Sequence, residues 1–153
     1  MAHNSTIEMS SSEARRWLTN FGGKLDTNYE RQFVLKVLPE IPDFNFSALT
    51  PQFPFIDSDG KNRRCDFVIQ EGDNVRIAVE IDGYDKTGTG NGQSMSEFVD
   101  WNRRQTALVT QDWRLLRFPN VEVRDYPGRC AEHVALLLRK ERSKSAHSDQ
   151  LRH

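Results

Sequence analysis

Residues 75–85 read VRIAVEIDGYD, with Val75, Ile77, Val79 and Ile81 alternating with Arg76, Ala78, Glu80 and Asp82. An alternation of period two is a β-strand, because successive side chains leave a strand on opposite faces. Glu80 and Asp82 therefore project from one face, about 7 Å apart along the strand. They end the strand just before Gly83. Two like charges side by side raise each other's cost of ionisation unless a positive charge lies close to both.

The rest of the chain is arranged around that strand. Ala14, Trp17, Leu18 and Phe21 fall at helical spacing over 11–21, and Gly22-Gly23 ends that helix. A second helix is predicted over 28–38, with Phe33, Val34, Val37 and Leu38 as its apolar face and Pro39 and Pro42 closing it. The segments QFPFI (52–56) and RCDFVI (64–69) read as a hairpin, since DSDGKN between them carries an Asp-Gly turn signal. After the strand at 75–82 comes GYDKTGTGNGQSM, a glycine-rich loop over 83–95. A helix over 95–110, a strand over 113–118 (WRLLRF) and a helix over 128–142 complete the order α, α, β, β, β, α, β, α. A single helix between the third and fourth strands makes that pair parallel, so the sheet is mixed.

A chain of 153 residues suits one domain with a real core. The domain is expected over 11–142, with polar, disordered tails at 1–10 and 143–153. The N-terminus lacks the apolar core of a signal peptide. No apolar run approaches a membrane span, which argues against a membrane partner. Cys65 and Cys130 are far apart and lack metal-ligand spacing, so they read as buried free thiols in a reducing, cytoplasmic setting. The net charge of −1 gives no global nucleic-acid footprint, but basic residues cluster locally at 63–64, 103–104 and 139–140. The four histidines are scattered, which argues against zinc.

Asp66 lies in the second strand and, if that strand pairs with the third, comes to the same sheet face as Glu80. Hard oxygen ligands converging at a strand end suit Mg²⁺, which takes few carboxylates and keeps several waters. Mn²⁺ would substitute. Such an ion activates water and neutralises charge on a phosphoryl group.

Glu30, CDFVI (65–69), VEIDG (79–83), DWNRR (100–104) and DWRLLRF (112–118) occur in that order. The set resembles the PD-(D/E)xK nuclease superfamily, and most closely the small relatives of very-short-patch-repair endonucleases. The resemblance implies a restriction-endonuclease-like α-β-β-β-α-β core within an α/β fold, with extra helices at both ends. It implies a Mg²⁺-dependent endodeoxyribonuclease in which Asp66, Glu80 and the Ile81 carbonyl hold the metal and Glu30 reaches it, often through water. Asp82 stands where the wider superfamily has lysine, although the subfamily shares the aspartate. The missing cation would come from Lys86 in the loop or from Arg103 or Arg104 on the next helix, residues that would also grip DNA. Arg104 is the preferred source, because a helix positions charge better than a glycine-rich loop.

Blander readings accompany these. Thr27 and Glu30 have capping-box spacing. Asp66 could pair with Arg64 or Arg76, and Asp100 with Arg104 at i,i+4. Two rival functions follow from the absent lysine and the modest charge: a non-catalytic nucleic-acid-binding module with a nuclease fold, or an RNA-directed, toxin-like nuclease. The short chain with polar ends is compatible with a homodimer or with a piece of a larger protein.

Overall fold

The computed structural model describes residues 2–83 and 94–152, with side chains at 7–83, 94–144 and 146. Helix α1 (Ala2–Phe21) leads into α2 (Asn28–Gln32), which continues through a π-wound turn (Phe33–Val37) and a 3₁₀ turn (Leu38–Glu40). Strands β1 (Leu49–Ile56), β2 (Asn62–Glu71) and β3 (Val75–Asp82) follow, then α3 (Met95–Thr110), β4 (Arg114–Pro119), α4 (Asn120–Asp125) and α5 (Pro127–Arg152). Residues 2–10 and 143–152 are helical in place of the disordered tails expected from their polarity. Neither stretch holds a Pro or Gly to interrupt the flanking helix.

The four strands form one sheet in the order β1-β2-β3-β4. The β1–β2 and β2–β3 pairs are antiparallel and β3–β4 is parallel, giving the mixed α/β architecture read from the single intervening helix. The β1–β2 turn uses Gly60 at φ +79, which a residue without Cβ adopts without strain. The turn α4 went unread in the sequence, because NVEVRD is too short to show a helical period.

Strand alternation gives the sheet two apolar faces. Phe67, Ile69, Ile77, Val79 and Phe118 pack with Trp17 of α1, Phe33 and Val34 of the π-wound turn, and Val134 and Leu138 of α5. Val68 and Ala78 on the other face pack with Phe55, Ala107, Leu108 and Trp113. Cys65 and Cys130 are both buried and free. Ala78, Glu80 and Asp82 share strand parity, so the face that buries Ala78 beneath α3 becomes acidic as β3 ends. Among the described residues no helix is long and apolar enough to cross a membrane.

Candidate functional site

Paired residues of β2 and β3 run from Glu71↔Val75 to Phe67↔Val79. One step further, in the same register, are Asp66 and Glu80. There the Asp66 carboxylate Oδ2 accepts from the Ile81 amide at 2.8 Å. A side chain thus satisfies a part-buried backbone donor where the ladder ends.

This point is the floor of a cleft of about 1190 Å³. Its lining includes Glu30, Gln52, Asp66, Glu80, Ile81, Asp82 and Arg104, together with Lys61, Arg63 and Arg64. Glu80 is 1% exposed. Burial first, and then the neighbouring Asp66 carboxylate, pushes the Glu80 carboxyl up to about 8. Burial also raises Asp66, with the Ile81 amide and a hydrogen bond shared with Glu80 acting the other way. The two groups behave as a pair that keeps a proton at neutral pH in the absence of a cation. Among the described residues Glu80 Oε1 has no hydrogen-bond partner although it is buried.

The nearest positive group is Arg104, whose Nη1 lies 3.8 Å from Glu80 Oε1. Arg104 Nε is likewise buried without a hydrogen-bond partner among the described residues. The i,i+4 pairing of Asp100 with Arg104 is not what forms. Asp100 instead takes Arg63, at 2.7 and 3.2 Å, and Lys61 at 3.5 Å. Arg63 also binds Asp57 at 2.7 Å. This clasp joins the β1–β2 hairpin to α3 and leaves Arg104 facing the acids. Among the described residues Asp66 forms no ion pair with Arg64 or Arg76, and Arg76 lies over the Trp113 ring, 4.0 Å from its centre.

Glu30 is 2% exposed and forms the capping box with Thr27. Its Oε2 accepts from the amides of Asp26 (2.9 Å) and Thr27 (2.7 Å), and its Oε1 from Gln52 Nε2 (2.9 Å). Both carboxylate oxygens are therefore engaged. Burial, followed by the charge on Asp66, raises its pKa. Capping and proximity to Asp66 coexist in one side chain.

Asp82 has a different neighbour. Arg117 donates to it through Nε at 2.8 Å, and Arg117 also donates to Gln105 and lies over Trp101, 3.2 Å from the ring centre. Asp82 is thus ion-paired with Arg117 of β4, which also ties it to α3. Arg103 is exposed, 4.0 Å from Asp59, and does not line the cleft. Lys86 lies outside the described residues. Sequence reasoning noted Arg63 only as part of a basic cluster and missed Gln52 and Arg117. Gln52 and Arg117 are single polar residues in strands, and nothing in their spacing marks their partners.

Among the described residues no three His, Cys, Asp or Glu side chains group tightly enough to enclose a metal by themselves. A Mg²⁺ ion does not require three, since one or two carboxylates plus waters suffice. The buried Glu80 Oε1 beside Asp66, with Arg104 at 3.8 Å and no hydrogen bond among the described residues, fits such an ion, because a bound cation would supply a closer partner. Glu30 fits through water, its oxygens being already bonded. Comparison of the chain with protein-family models, curated proteins and solved structures returns no match.

Proposed function

We propose that the protein is a metal-dependent endonuclease that hydrolyses DNA phosphodiester bonds, built on a restriction-endonuclease-like core of the PD-(D/E)xK kind. The observation that carries this reading is the Asp66–Glu80 carboxylate pair lining a cleft at the point where β2 and β3 stop pairing, with Glu80 buried and its Oε1 without a hydrogen-bond partner among the described residues. A purely structural pair of carboxylates would be expected to have a guanidinium between them, as Asp57 and Asp100 do. Asp66 and Glu80 would hold Mg²⁺, with the Ile81 carbonyl beside them. When bound, the ion lowers the pKa of water and neutralises phosphoryl charge. Arg104 supplies fixed positive charge toward the phosphate, and Glu30 orients water near Asp66. Arg103, exposed at the helix surface, and Lys86 belong to the DNA grip in this reading.

The neutralised Asp82 favours the rival of a non-catalytic nucleic-acid-binding module, because it offers no charge to a developing anion. One experiment separates the two: incubation with supercoiled plasmid, single-stranded DNA and RNA in Mg²⁺, Mn²⁺ or EDTA. Nicking of DNA that needs the ion and disappears in Asp66→Asn, with affinity for DNA retained, is the expected outcome. Binding without cleavage under every ion makes the module the better description, and cleavage of RNA alone makes the substrate RNA.

A further inference from the structure

Gln52 is in β1, yet its φ is +49. L-residues rarely adopt this left-handed backbone, and non-glycine residues held there cluster at functional sites. The strand is regular on either side, with Pro51↔Phe67 and Phe53↔Cys65. That register sets Gln52 opposite Asp66, beside the acidic floor of the cleft.

The conformation has one visible result: Gln52 Nε2 donates to Glu30 Oε1 at 2.9 Å. A carboxylate only accepts, which fixes the amide's orientation. The helix cap does not need this bond. Glu30 Oε2 alone satisfies the Asp26 and Thr27 amides, and the Thr27 hydroxyl accepts from the Glu30 amide. Gln52 thus restrains the oxygen that capping leaves free.

We infer that Gln52 is a positioning residue, held in a strained backbone so that its amide fixes the Glu30 carboxylate beside the Asp66–Glu80 pair for the water shell of a divalent cation. The inference rests on the metal-site reading above. It concerns metal affinity rather than turnover, and outer partners of this type change metal affinity by roughly 10–100-fold when removed.

The test uses the full chain and Mn²⁺, followed by calorimetry alongside thermal unfolding without metal. Gln52→Gly relieves the positive φ but takes the donor from Glu30 Oε1, so its metal-free Tm should stay within a few degrees of the wild type, while Mn²⁺ binding weakens by about ten-fold or more. Gln52→Asn tolerates the same backbone but is one methylene too short to reach Glu30, and should show the same loss. In a Glu30→Gln background, Gln52→Gly should change affinity by less than about two-fold, as expected of residues acting through one contact. Unchanged Mn²⁺ affinity in both Gln52 variants, with Glu80→Gln still losing it, overturns the role of Gln52 and leaves the nuclease reading intact. A loss that persists in the Glu30→Gln background also overturns it. Mn²⁺ binding without cleavage of any nucleic acid defeats the nuclease reading alone, and no Mn²⁺ binding by the wild type defeats both.

Discussion

Two clusters of charge line the same cleft, three residues apart along β2. Around Arg63, two carboxylates share one guanidinium: Asp57 at 2.7 Å and Asp100 at 2.7 Å. Both are held below the usual carboxylate range, Asp100 at about 2, chiefly by their hydrogen bonds to Arg63. Around Asp66, its half-buried carboxylate faces the buried Glu80, and Arg104 comes no nearer to Glu80 Oε1 than 3.8 Å. There the shift is upward. Residue types are alike in the two clusters, so composition does not explain the difference. Distance and desolvation do: a guanidinium in contact repays the loss of water, and one beyond hydrogen-bond range does not. The first cluster serves the fold, and the second is left unsatisfied in a way that a cation would relieve.

Opposite responses to charge removal follow, and they break the comparison if they fail. The largest expected effect is that of Arg63→Met, which leaves Asp57 and Asp100 facing each other without their cation. Its Tm should fall by roughly 5 °C or more in metal-free buffer at pH 7, with the hairpin loosened from α3. Glu80→Gln should do the reverse, raising Tm without metal while abolishing Mg²⁺ and Mn²⁺ binding in calorimetry. Equal destabilisation by both changes would mean that Glu80 is a structural partner like Asp57.

The pH dependence sharpens the same contrast. Glu80 has a folded pKa of about 8 against an ordinary value of 4.5. The folded state is therefore penalised from near pH 4.5 upward, and the penalty grows until about pH 8. Asp100, at about 2 against 3.8, adds stability above 3.8 that is lost as pH falls through 2. Metal-free Tm should rise as pH is lowered from 8 toward 5, then fall on acidification from about 4 to about 2. Glu80→Gln should flatten the first limb and keep the second. Saturating Mg²⁺ should also flatten the first limb, because the ion replaces the proton.

The smallest effect is expected at Arg103, whose partner Asp59 is 4.0 Å away with both side chains about two-thirds exposed. Exposed pairs contribute little. Arg103→Ala should leave Tm within about 1 °C of the wild type. Its DNA affinity, measured across a salt series, should show a slope lower by about one if the residue grips phosphate. A large Tm loss would show that the clasp extends beyond Arg63.

The strand at 75–82, the hairpin before it, the helix at 95–110 and the strand after it were legible from the sequence, because alternation, a turn signal and a lone crossover helix are local properties. The buried alternation of β3 also dictated that Glu80 and Asp82 share a face. Which of the two is left without a hydrogen-bonded cation was not legible. Asp82 is taken by Arg117, a residue 35 positions away on the parallel neighbour. Arg104 is free to face Glu80 only because Arg63 draws Asp100 away from it. The left-handed backbone of Gln52 has no sequence signal, since Gln has no preference for it. Local chemistry thus set the elements and their acidic strand end. Only the tertiary structure decided which acids are matched, because pairing depends on contacts across strands and on the depth at which water is lost.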